Sequence, residues 1–279
     1  MQRLKNWTCF GGQQQVWKHR SAALDCDMEV AVYLPPQAAA GAPLPVLYYL
    51  SGLTCTWENM VTKAGAQRYA AEHGLILVAP DTSPRGVNLP GENESYDFGS
   101  GAGFYVDATQ APWSKNYRMY SYVTMELPDL IAGHFPVDAS RIGITGHSMG
   151  GHGALVCALR NPARYRSVSA FSPIVAPSQV PWGQKAFTGY LGTATEQWQP
   201  YDATALAATT AWRNPILIDQ GTADEFLESQ LKPHLFASAC AKAGIPVTLR
   251  LQQHYDHSYY FIQSFIGEHI AWHAKALGK

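Results

Sequence analysis

The chain has no excess of either charge. Its 20 lysines and arginines against 21 acidic residues leave a formal net charge of −1 over 279 residues. That balance removes the electrostatic case for a nucleic-acid or anionic-membrane partner. Cysteine is scarce: five residues, Cys9, Cys26, Cys55, Cys157 and Cys240, an odd number with no C-x-x-C spacing. The N-terminal stretch Met1-Gln2-Arg3-Leu4-Lys5-Asn6-Trp7 lacks an apolar signal core, so these cysteines are expected to be free thiols in a reducing cytoplasm. No apolar run approaches the roughly 20 residues that a membrane helix needs. There is no internal repeat, and the only low-complexity stretch is a short Ala-rich connector at 37–43. What is present is 47% hydrophobic and 15% charged, enough for a large core within one α/β domain spanning 1–279.

Residues 28–34 alternate in part, as a half-buried strand does. Residues 45–50 are a continuous apolar run stopped by Ser51-Gly52, the signature of a strand buried on both faces. A helix is expected within 57–73, with Gly74 as its stop, then a buried strand at 75–79. The segment 82–122, rich in Gly, Pro, Asn and aromatics, reads as a long irregular excursion over one sheet edge, a kind of loop that is usually functional. Further helices are expected at 125–135, with Pro128 in the first turn, at 226–243 and at 259–275. Further strands are expected at 141–145, 167–171, 215–220 and 247–251, with a cap-like insertion at 176–210. Strand alternating with helix implies a mostly parallel central sheet flanked by helices, with ligands at the strands' carboxyl ends.

The run Gly146-His147-Ser148-Met149-Gly150 falls between one of these strands and a small-residue helix. A G-x-S-x-G in that setting marks a nucleophile elbow, a tight turn that lifts a serine hydroxyl to the rim of the sheet. A serine hydroxyl needs a base, and the base needs an acceptor to fix its tautomer. His257, just after the strand at 247–251, is placed to be the base, with His254 as its rival. Asp224, just beyond the strand at 215–220, is placed to be the acid, ahead of Asp219 within the strand and the adjacent Glu225. The oxyanion needs two backbone donors; Met149 N–H, after the nucleophile, and Leu53 N–H, after the strand at 45–50, are expected to supply them. Each residue alone has an ordinary structural use as turn, surface group or helix cap. Their chain order, serine then acid then histidine, is what makes the set informative. The close spacing of His254, Asp256 and His257 suits neither a helix face nor a zinc loop, so no metal site is expected.

Several longer stretches carry a family resemblance. Ser51-Gly52-Leu53-Thr54-Cys55-Thr56, the elbow with its continuation Gly151-His152-Gly153, Asp224-Glu225-Phe226-Leu227 and Tyr255-Asp256-His257-Ser258-Tyr259-Tyr260 resemble the S-formylglutathione hydrolase, or esterase D, family. Asp81-Thr82-Ser83-Pro84-Arg85-Gly86, the block at 98–109 and Pro181-Trp182-Gly183-Gln184-Lys185-Ala186-Phe187 extend the match through nearly the whole chain. One departure is His254, where the family often has glycine. The resemblance implies the α/β-hydrolase fold and a cofactor-free cytoplasmic thioesterase of glutathione-dependent formaldehyde detoxification. Its substrate is a small-molecule glutathione thioester, and members are often homodimers. It assigns nucleophile, acid and base to Ser148, Asp224 and His257.

A formyl group is small, and Trp57, Phe104 and Trp182 are candidates to line its pocket or the adjoining cleft. Glutathione has two carboxylates, which calls for a cation near the cleft; Lys185 is the first candidate, with Arg85 and Lys63 behind it. Cys55, beside the oxyanion loop, is expected to be a nearby non-essential thiol. The competing readings are a generic short-chain carboxylesterase or acyltransferase and a non-catalytic binding protein on the same fold.

Overall fold

The computed structural model describes residues 1–278. Two strands that no apolar pattern announces come first: β1 (Gln2–Cys9) and β2 (Gly12–Ser21), an antiparallel hairpin turning at Phe10 and Gly11. β1 is the sheet edge and is exposed along almost all of its length, so its residues need no core-facing periodicity. β3 (Cys26–Leu34) pairs antiparallel with β2. β4 (Leu44–Leu50) is buried along nearly its whole length, as its continuous apolar run predicts.

The helix expected at 57–73 is two helices, α1 (Trp57–Lys63) and α2 (Ala66–His73), broken where Gly65 takes φ +66°. Thr56 caps α1: its hydroxyl accepts from the Glu58 N–H at 3.2 Å, and the Asn59 side chain accepts from the Thr56 N–H at 3.1 Å. Gly74, at φ +64°, ends α2 as expected. β5 (Ile76–Pro80) follows. The excursion that begins at Thr82 is irregular but packed down. The Tyr190 hydroxyl accepts from the Gly99 N–H and donates to the Ala102 carbonyl, both at 2.9 Å.

The excursion ends earlier than expected, because α3 (Met119–Ser121), a π-helical turn at Tyr122–Glu126 and α4 (Leu127–His134) run on continuously. Pro128 therefore lies inside a longer helical run. Proline has no N–H to offer the carbonyl four residues back. That carbonyl, of Thr124, accepts from the Arg164 guanidinium instead. β6 (Val137–Gly146), α5 (Met149–Arg160) and β7 (Tyr165–Phe171) form the central unit. α6 (Pro181–Leu191) and α7 (Ala203–Leu206) lie between β7 and β8 (Ile216–Gly221). The helix expected at 226–243 is a π-helical turn, Leu227–Leu231, and α8 (Pro233–Ala243). They are separated by Lys232 at φ +46°, because a residue before proline is pushed out of the right-handed helical region. β9 (Val247–Gln252) and α9 (Tyr259–Leu277) close the fold.

The sheet order is β1-β2-β3-β5-β4-β6-β7-β8-β9. From β5 to β9 every pairing is parallel, and the N-terminal strands join antiparallel at one end. Apolar side chains fill both faces, including Tyr48, Ile144 and Leu155 on one and Leu47, Leu77 and Ile266 on the other. This mostly parallel sheet flanked by helices is the expected architecture. Among the described residues no helix is long and apolar enough to cross a membrane.

A buried polar network ties the C-terminal strands to α9. Asp219 on β8, fully buried, accepts from Arg250 of β9 at 2.5 and 2.6 Å. His269 Nε2 lies 3.4 Å from Asp219, and its Nδ1 is 2.9 Å from the Ser169 hydroxyl of β7. Burial alone would raise the Asp219 pKa, but the hydrogen bonds from His269 and Arg250 outweigh it and hold it below the ordinary value. Removing one partner of a buried pair leaves the other charge uncompensated, at a cost of roughly 3 kcal/mol. Asp219→Ala is therefore expected to lower the melting temperature by about 6–12 °C. Differential scanning calorimetry reads this directly, and a shift below about 2 °C would show that the network adds little.

Candidate active site

The strand-to-helix turn after β6 holds Ser148 at φ +57° and ψ −118°, a strained conformation for a residue with a side chain. Two strand ends hold the turn. The Ser148 N–H donates to the Phe171 carbonyl of β7 at 2.9 Å, and the His147 N–H donates to the Leu50 carbonyl of β4 at 3.0 Å. The flanking glycines are a steric requirement. A Cβ on Gly150 would sit 1.9 Å from the Leu50 carbonyl oxygen, and one on Gly146 would sit 2.3 Å from that of Gly150. Beneath the turn, His152 meets the Phe104 carbonyl at 2.9 Å, and burial pushes its pKa down to about 4.

Asp224, on the loop after β8, and His257, on the loop after β9, come together with Nδ1 and Oδ2 2.6 Å apart. Asp224 also accepts from the Phe226 N–H at 2.9 Å and the Gln220 amide at 3.1 Å. Burial would raise its pKa, but the hydrogen bonds from His257 and Phe226 keep the carboxyl below its ordinary value. With Nδ1–H directed at a carboxylate, Nε2 of His257 is left as the acceptor. The imidazole is sandwiched between the rings of His147 and Phe226, with centroids at 4.5 and 5.0 Å. Ser148 and His257 line the same cleft, and among the described residues the Ser148 hydroxyl has no hydrogen bond, an arrangement common before substrate binds.

The rivals lie elsewhere. Asp219 is committed to Arg250 and His269, and Glu225 is exposed. His254 is an exposed turn residue at φ +66° whose N–H donates to the Thr222 hydroxyl at 2.9 Å. That backbone conformation accounts for the family's glycine there.

The loop after β4 runs beside the serine: a Cβ on Gly52 would lie 3.2 Å from that of Ser148. Tyr105 pins the loop by donating to the Ser51 carbonyl at 2.9 Å, and the Thr54 N–H donates to Gly101 at 2.9 Å. Among the described residues neither the Leu53 N–H nor the Met149 N–H is taken by any acceptor, so both are free to serve an oxyanion.

The cleft has a volume of about 230 Å³ and is walled by Leu53, Cys55, Tyr96, Trp182 and Phe226 around Ser148 and His257. Trp182 is where the sequence placed it, donating to the Tyr96 hydroxyl at 3.0 Å and packing on Phe226 at 4.7 Å. Phe104 and Trp57 are corrections. Phe104 is sealed in the core, its ring against His152 and Phe187, so it cannot line the cleft. Trp57 opens α1 facing β3, donates to Glu29 at 2.9 Å, and lines a separate 440 Å³ cavity with Glu58 and Arg85. Lys185 is near the rim but already neutralised, donating to the Ser95 hydroxyl at 2.7 Å and to the Asp97 carboxylate. Arg85 is bound to Asp81 at 2.8 and 3.0 Å. Lys63 is exposed, its ammonium 5.9 Å from the Tyr259 ring centroid.

Three site residues escaped sequence reasoning. Tyr96 is hidden in the irregular excursion, which has no periodicity to orient it. Phe226 lies two residues past Asp224 and His147 inside the elbow motif, so proximity to named residues was the available signal. Among the described residues no three His, Cys, Asp or Glu side chains group as metal ligands.

The Esterase family model matches residues 21–272. A curated S-formylglutathione hydrolase of Rattus norvegicus is 58% identical over 279 residues, covering 99% of each chain. The solved structure of an S-formylglutathione hydrolase from Agrobacterium tumefaciens superposes with a TM-score of 0.97 at 51% identity over 100% of both chains. A fluorophosphonate-binding serine hydrolase of Staphylococcus aureus, 19% identical, shares the fold with a TM-score of 0.76 over 94% of this chain and 98% of that one.

The buried histidines at the elbow dictate an acid response. Burial holds His147 well below its ordinary pKa of 6.5 and His152 at about 4. In the unfolded chain both protonate near 6.5, so the unfolded state binds more protons below that pH. Their contribution is complete above pH 6.5 and is lost as pH falls toward the folded pKa, by about 1.4 kcal/mol per unit per histidine. Stability measured by denaturant unfolding is expected to decline from pH 6.5 to 4. A flat profile across that window would contradict the neutral assignment.

Proposed function

The chain belongs to the S-formylglutathione hydrolase family and is a serine esterase hydrolysing S-formylglutathione to formate and glutathione, and we propose that Ser148 carries the formyl group through an acyl-enzyme. His257 Nε2 accepts the Ser148 proton as the oxygen attacks the formyl carbon. The tetrahedral oxyanion is received by the Leu53 and Met149 N–H groups. Asp224 holds the imidazole in the tautomer that leaves Nε2 free, and stabilises the imidazolium. The C–S bond breaks, the sulfur takes the proton from His257, and glutathione leaves. Water then attacks the formyl-serine, giving its proton to His257, which returns it to Ser148 as formate departs.

The observation that carries this reading is the 2.6 Å contact between His257 and Asp224, opening onto the same cleft as the strained Ser148. The same reading extends to formaldehyde detoxification in the cytoplasm, supported by five unpaired cysteines and a balanced charge. Loss of thioester absorbance on S-formylglutathione tests the assignment. Ser148→Ala is expected to reduce kcat by about 10⁴-fold or more, and Asp224→Asn by roughly 10³–10⁴-fold. Unchanged turnover in Ser148→Ala would overturn the mechanism. Faster parent turnover of an aryl acetate than of the thioester would favour a generic carboxylesterase.

We also assign Cys55 as a non-essential thiol on the oxyanion side of the cleft. It lines the cleft, and burial pushes its pKa up, so its neutral form predominates. Cys55→Ser is expected to retain turnover and lose sensitivity to N-ethylmaleimide. Equal sensitivity in parent and variant would remove Cys55 from the site.

A further inference from the structure

We infer that Lys63 receives a glutathione carboxylate at the mouth of the cleft and thereby sets the preference for glutathione thioesters over uncharged esters. This rests on the S-formylglutathione reading above. The 230 Å³ cleft is smaller than the roughly 300–1,000 Å³ of sites that enclose a drug-sized ligand. It holds the thioester end, so the tripeptide lies across the rim with its two carboxylates in reach of surface cations.

Of the cations around the site, Lys185 and Arg85 are already spent on Asp97 and Asp81. Lys63 differs in having no anionic partner among the described residues. Two independent neighbours place it on the Ser148 side of the rim. Its ammonium stands 5.9 Å from the ring centroid of Tyr259, whose ring is 5.9 Å from that of His147, itself 4.5 Å from the base His257. On the oxyanion side, the Lys63 charge is the strongest influence opposing the effect of burial on Cys55, a cleft-wall residue. Burial of Tyr259 beneath it, with Tyr260 82% exposed alongside, gives the peptide an aromatic surface next to the charge. An ammonium that anchors a carboxylate here would leave the chemistry at Ser148 untouched and act on substrate capture.

Lys63 also ends α1, where a cation commonly complements the helix dipole. That ordinary role affects stability and treats all substrates alike, which separates the two uses. The test is steady-state kinetics of the parent, Lys63→Met, Lys63→Arg and Lys185→Met on S-formylglutathione and 4-nitrophenyl acetate. Lys63→Met keeps the aliphatic stem against Tyr259. It is expected to raise KM for the thioester roughly three- to tenfold with kcat unchanged, the scale of one charge-assisted contact at a surface. KM for the acetate should not move, and Lys63→Arg should restore the thioester KM. Raising salt should raise the parent's thioester KM and leave that of Lys63→Met nearly constant. Equal effects on both substrates, no effect, or the same loss from Lys185→Met would overturn the inference. A parent that fails to turn over S-formylglutathione would instead overturn the proposed function. In that case competitive inhibition of acetate hydrolysis by S-methylglutathione, weakened by Lys63→Met or not, still decides the role of Lys63.

Discussion

The molecule is arranged around a backbone conformation that does not sustain itself. Ser148 at φ +57° and ψ −118° costs about 1–3 kcal/mol, and such a conformation persists only where its surroundings over-determine it. Here the determinants are two carbonyls at the ends of parallel strands, Leu50 on β4 and Phe171 on β7, which accept the N–H groups of His147 and Ser148. Both carbonyls exist at the right place because β4, β6 and β7 are adjacent and parallel, so that all three end at the same edge. The close approach that this requires excludes a Cβ at Gly146 and Gly150. Turn, glycines and sheet order are thus one constraint stated at three levels.

The same edge supplies the other two groups, but by different means. Asp219 and Asp224 are five residues apart and both buried, yet they do opposite work. Asp219 points toward α9 and is saturated by Arg250 and by His269, whose ring stacks on Phe171 at 3.8 Å. Phe171 is the residue whose carbonyl holds Ser148, so the network beneath the sheet and the elbow above it meet on one side chain. Asp224 lies beyond the strand, where the chain can turn to face the loop that bears His257. The structural acid stiffens the strand ends; the second acid, one turn of loop later, is free to orient an imidazole.

This division explains what was legible beforehand. Buried parallel strands are continuous apolar runs, so β4 and β5 stand out, and the elbow carries its own glycine signature. The edge hairpin of β1 and β2 was missed because an exposed strand has no core-facing pattern. Helix breaks at Gly65 and Lys232 depend on single backbone conformations, which apolar periodicity cannot register. Trp57, Phe104 and Trp182 look alike as sequence, since each is a large aromatic in a matching block. Only the rotation of α1, the burial of Phe104 under the elbow and the placement of α6 over the strand ends separate them. Tyr96 and Lys185 were illegible as partners because their contacts cross from the excursion to α6.

His147 shows how the interior electrostatics fit the chemistry. Its ring is buried and packed on His257, and both of its nitrogens lack a hydrogen-bond partner among the described residues. Unpartnered buried nitrogens cost about 1–3 kcal/mol, an expense the fold accepts at a site and seldom elsewhere. Burial first, and the adjacent His257 second, keep this imidazole neutral far below its ordinary range. Neutrality matters because His257 must itself become cationic during each half-reaction. A charged ring 4.5 Å away would oppose that step, while a neutral aromatic face leaves Asp224 as the charge that His257 meets at contact distance. The polar interior therefore reserves the positive charge for the proton in transit, and the cations of the protein stay at the rim, where the anionic substrate first arrives.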